Sequence, residues 1–154
     1  MSSKWKALFD DMTLFLNASE TIIQTVPTAR TAAAQFQQGQ FVSAMDTIEL
    51  QTHIAGERLQ RIQAECKQAM GAYDPEIMRR WLDQQPAAAE LWQRCKTAGE
   101  LAKAELTLLQ EMMQANQAFF NQVKASASPY DPELRSESDA PKLYGKRGII
   151  SGSE

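Results

Sequence analysis

The stretch FVSAMDTIELQTHIAGERLQRIQAECKQAM, Phe41 to Met70, decides how the rest of the chain is read. Apolar residues recur at Phe41, Met45, Ile48, Ala55, Leu59, Ile62, Cys66 and Ala69, with polar Thr52 filling the gap. The steps alternate four and three. That is the seven-residue repeat that lays one stripe along an α-helix and pairs it with a neighbouring rod. A helix of this length is a rod of about 45 Å. Gly71 stands where a helix ends in a left-handed residue. The Ala, Gln, Glu, Leu and Met that dominate here, and along most of the chain, are strong helix formers.

The same period runs upstream. A first helix is expected from about Ser3 to Gln24, capped by Ser2 or Ser3, with Trp5, Leu8, Phe9, Met12, Leu16 and Ile23 on one face. Pro27 lacks a backbone N–H and crowds the preceding turn, so a kink or break is expected there. Helix resumes from Thr28 to Gln38, and Gly39 is its expected left-handed cap.

Downstream, Tyr73-Asp74-Pro75-Glu76 reads as a helix start, because Asp caps well and Pro suits the first helical position. A short helix over about Pro75 to Gln84 carries Ile77, Trp81 and Leu82. Pro86 then opens the longest expected helix, to about Ala125. Its seam is Leu91, Cys95, Ala98, Ala102, Glu105, Leu109, Met112, Asn116, Phe119 and Val123. Leu101, Leu106 and Leu108 thicken that stripe, and Asn116 reads as a polar residue that sets register.

After Ala125 the character changes. Residues 126–154 hold three Pro, three Gly and six Ser. Such a stretch buries too little surface to offset its ordering entropy, so a mobile tail is expected. Tyr130-Asp131-Pro132-Glu133 repeats the earlier YDPE, which allows a short helix near 132–137. The expected fold is all-α. It is an elongated antiparallel three-helix bundle or coiled coil over residues 1–125, with a short extra helix at one end and a flexible C-terminal tail over 126–154.

Composition narrows the function. The net charge is −3 with both signs interspersed, which argues against nucleic acid as partner. Asp10 and Asp11 stand where a signal peptide needs its apolar core, and no apolar run reaches membrane-spanning length. A cytoplasmic protein without stable membrane insertion is expected. No phosphate loop, HExxH or recognisable nucleophile setting is present, so no enzyme is expected. His53 shares a helix face with Glu49 and Glu57, but one histidine falls short of a metal ligand set. Cys66 and Cys95 lie on apolar seams and read as small buried hydrophobes rather than a redox or zinc pair. No cofactor and no metal are expected.

Several stretches resemble one family. QFQQGQFVSAMDTIELQTHIAGERLQRI, Gln35 to Ile62, is similar to the middle of small flagellar type III export chaperones. Leu91-Trp92, opening the last long helix, and the Leu143-Tyr144-Gly145 and Gly148 of APKLYGKRGII, Ala140 to Ile150, resemble the C-terminal half of the FlgN-type chaperones. The resemblance implies a chaperone with no active site that escorts hook–filament junction proteins to an export gate. It implies client contacts on the last long helix, around Met112, Met113, Phe119, Phe120 and Val123. It also implies a tail anchored by Leu143, Tyr144, Ile149 and Ile150, with Tyr144 meeting the gate component. The same Met and Phe stripe reads equally as core packing. The alternative to a chaperone is a structural coiled-coil or adaptor protein, with self-association left open.

Overall fold

A computed structural model describes residues 3–127, with side-chain surroundings described to Ala125. The fold is all-α, with five helices: α1 (Ser3–Ala34), α2 (Gln38–Met70), α3 (Pro75–Leu82), α4 (Pro86–Ala115) and α5 (Gln117–Ala127). The long helices α1, α2 and α4 form a bundle in which α1 packs along both of the others.

Contacts along the rods fix their directions. A short link over 35–37 turns the chain back, so α2 runs antiparallel to α1 and brings Arg58 to Asp11. Helix α4 runs parallel to α1. The Cys95 thiol meets the Met12 carbonyl near one end, and Glu105 meets Arg30 toward the other. Helix α3 closes the end where α1 begins, its Trp81 ring stacked on Trp5 with centroids 5.3 Å apart.

The α2 seam packs as its spacing predicts. Phe41, Ile48, Thr52, Ala55, Leu59, Ile62 and Cys66 are buried, while Met45 and Ala69 lie half-buried at its edge. On α1 the buried set is wider than the expected stripe, adding Phe15, Ala18, Ser19, Ile22, Val26 and Ala29. A helix flanked by two neighbours needs two apolar faces. The α4 seam is built of small residues, Cys95, Ala98, Gly99 and Ala102, which let α1 come close. A methyl group on Gly99 would stand 3.4 Å from the Phe15 ring, an ordinary van der Waals contact, so the ring packs directly over this glycine.

Two boundaries follow local chemistry as expected. Gly71 ends α2 with φ of 85°, its N–H bonded to the Lys67 carbonyl. Asp74 caps α3, its carboxylate accepting from the Ile77 N–H at 2.8 Å, with Pro75 in the first turn. The short helix closes at Leu82, two residues before the expected end.

Three boundaries correct the sequence reading. Helix α1 does not break at Pro27 but continues to Ala34. Gly39 is not a cap; it lies inside α2. The left-handed residue that ends α1 is Phe36, with φ of 55°. Its N–H bonds to the Ala33 carbonyl at 3.1 Å, and the Gln37 N–H reaches back to the Ala32 carbonyl at 2.8 Å. That pair of bonds is the Schellman arrangement, which usually takes glycine where Phe36 stands. The helix expected from Pro86 to Ala125 is two helices, broken at Asn116. Asn116 therefore sets no register inside a seam. It is exposed, and its side-chain amide donates to the Met112 carbonyl at 3.1 Å.

Helix α5 runs two residues past the expected domain limit at Ala125. The expected mobile tail lies outside the described residues, apart from the last turn of α5, and so does the short helix near 132–137.

Candidate functional site

Three surfaces of the bundle gather side chains that face outward or carry charge. The first is the far end, where α5 folds over the α1–α2 turn. Phe119 and Phe120 pack against Phe41 with ring centroids 5.9 and 4.9 Å away, and Phe36 meets Phe119 edge-on at 5.3 Å. Aromatic pairs at such separations add attraction beyond their buried area. Phe36 is nonetheless 71% exposed, because its left-handed backbone lifts it off the bundle.

This end holds most of the residues singled out for partner binding. Met113, Phe119, Phe120 and Val123 are buried in the hydrophobic cluster, and Met112 is half-buried against it. The fold brings Phe119, Phe120 and Phe41 together, with Phe36 at the edge. Leu143, Tyr144, Ile149 and Ile150 lie outside the described residues.

The second surface is a groove between α1 and α4, an open trough of about 440 Å³. Leu16, Ile23, Ala98 and Leu101 give it an apolar floor, and Glu20 and Arg94 mark its rim. Leu101 and Leu108, expected to thicken the buried seam, are 52% and 46% exposed; only Leu106 of the three goes inside. The signal was in their spacing. Seven residues put Leu101 and Leu108 on one helix face, and that face is neither of those the core needs.

The third surface is charged and lies between α1 and α2. Asp11 is buried on α1, and its Oδ1 accepts from Arg58 Nη1 at 3.0 Å, with Arg61 Nη1 at 3.9 Å. Removing a carboxylate from water is costly unless cations and donors surround it, and the two arginines do so here. Glu65 lines the same cleft. Burial pushes its carboxyl up to about 7, helped by the neighbouring Asp11 charge and a hydrogen bond to Asp11, against the pull of Arg61. Sequence periodicity gave no hint of this cluster, because Asp11 reads as one of many surface charges until α2 is laid against it.

The groups weighed for chemistry are packed or solvated. Both cysteines are free and buried. Burial pushes the Cys95 thiol up to about 12, so it stays protonated and donates to the Met12 carbonyl at 3.3 Å. Burial also raises the Cys66 thiol, with Asp74 adding to the effect. His53 is exposed, 3.7 Å from Glu57. Among the described residues no three His, Cys, Asp or Glu side chains gather as a metal site, and no helix is long and apolar enough to cross a membrane. No protein-family model, curated protein or solved structure matches the chain.

Proposed function

We propose that this chain is a cytosolic export chaperone of the FlgN type, which holds hook–filament junction proteins before type III flagellar secretion. The observation that carries the reading is the α1–α4 groove lined by the exposed Leu101, with Leu108 one heptad on. An apolar strip along a rigid rod suits an amphipathic client helix, which lays its own apolar face into a groove at i, i+3, i+4 and i+7. The resemblance at Gln35 to Ile62, Leu91-Trp92 and Ala140 to Ile150 supports the same class. In this proposal Tyr144 meets the export gate, and the exposed Phe36, backed by the buried Phe119 and Phe120, extends the client surface.

The test is co-purification with a hook–filament junction protein expressed beside it. Wild-type chain retains the client, and the Leu101→Asp/Leu108→Asp double variant loses it while its helical content is unchanged. Tyr144→Ala keeps the client but lowers its secretion. A client held equally well by all three proteins and secreted normally removes the reading.

The heptad spacing of Leu101 and Leu108 also favours a second reading, a structural or adaptor coiled coil, since two copies could pair through that row. Sedimentation separates the two. A dimer that falls apart in the double variant supports the adaptor, and a monomer supports the chaperone.

A further inference from the structure

Two carboxyl groups meet across the α1–α2 seam. Asp11 projects from α1 into a cleft whose α2 side carries Arg58, Arg61 and Glu65. These three are spaced three and four apart, which places them on one face of α2. Arg58 and Arg61 both reach Asp11. The Glu65 Oε2 is closed off from water and has no donor within reach. Asp11, itself buried, lines the same cleft, and its charge and hydrogen bonding raise the Glu65 carboxyl. Two ionised carboxylates can only accept, so neither can satisfy the other. One proton between them turns the contact into a hydrogen bond and removes a repulsion.

We infer that a proton held by Glu65 bridges it to the Asp11 carboxylate across this seam, so that α1 and α2 hold together more tightly in mildly acid than in mildly alkaline solution. The arginines lie on the Asp11 side of the pair, so the proton resides on Glu65. The charged groups lining the cleft are Asp10 and Asp11 from α1 and Arg58 and Arg61 from α2. Asp11 disfavours charge on Glu65, and Arg61 favours it.

The direction of the pH effect follows from proton counting. The folded chain keeps the Glu65 proton up to about 7, whereas a free glutamate releases it near 4.5. Between those values the folded state binds more protons than the unfolded state. Stability therefore falls as pH rises through this window, and the contribution is fully present below it.

Two measurements on the full chain test the inference. A carbon-13 titration of the Glu65 carboxyl should show a midpoint near 7 instead of 4.5. Melting of wild type and Glu65→Gln should then be compared from about pH 5 to about pH 8. The glutamine amide donates to Asp11 at every pH, so the variant should gain on wild type as pH rises. A Glu65 midpoint in the ordinary glutamate range, or a melting difference that is the same at both ends of the range, overturns it.

Discussion

Helix α1 contains a proline and does not break; α4 meets an asparagine and does. Propensity alone orders these the other way, since Pro costs about 3 kcal/mol inside a helix and Asn well under 1. Burial separates them. Around Pro27, Ile22, Val26 and Ala29 are fully buried against the neighbouring rods. Interrupting α1 there would uncover all three. Around Asn116, residues 114–118 are all exposed, so nothing outside the helix holds it straight. The Asn116 side-chain amide shares the Met112 carbonyl with its own backbone N–H, at 3.1 and 3.0 Å, and α4 ends on that doubly used acceptor. A breaker acts where the surroundings are neutral and is overruled where both flanks are packed.

Removing the packing should expose the weakness that it hides. Ile22→Ala takes away a fully buried side chain one turn before Pro27, and unfolding in urea should show a loss of about 2–5 kcal/mol. A loss below about 1 kcal/mol would mean that the flanks do not hold the proline in place.

Pro27→Ala restores the missing N–H and relieves the clash with the previous turn. The intrinsic gain of about 3 kcal/mol is reduced by up to about 1, because alanine leaves the unfolded chain freer. A net gain of about 2 kcal/mol in the same unfolding experiment is expected. No gain would show that the proline is already accommodated without strain.

The smallest effect belongs to the exposed junction. Asn116→Ala should change stability by about 0.5 kcal/mol or less while raising helical ellipticity, as α4 and α5 begin to fuse. Unchanged ellipticity would place the cause of the break in the Phe119 and Phe120 packing rather than in the asparagine.

What the sequence could show divides along the same line. Periodicity exposed the α2 seam almost residue for residue, because α2 packs along one long rod, α1, and meets α3 and α5 only slightly. Gly71 and Asp74-Pro75 were legible because their chemistry is contained within one turn. The ends that depend on distant contacts were not. Phe36 does not look like a left-handed residue, and Gly39 did look like one. The distinction is made by rings arriving from α5. For the candidate surfaces, the shared face of Leu101 and Leu108 was already written in their spacing, whereas the Asp11 cluster became visible only once α2 lay against α1.

That central position of α1 has a consequence for how the chain is made. During synthesis α1, the helix most dependent on others, emerges before either of the two rods it packs against. Its partner α2 follows at once, so a hairpin of two rods can close early. The α4 side stays open until synthesis passes residue 115. Throughout that interval Phe15 has no Gly99 to receive it, and the nascent hairpin presents an apolar stripe to whatever is nearby. Slowing translation just after Met70 should lengthen that window and raise the share of chain lost to aggregation.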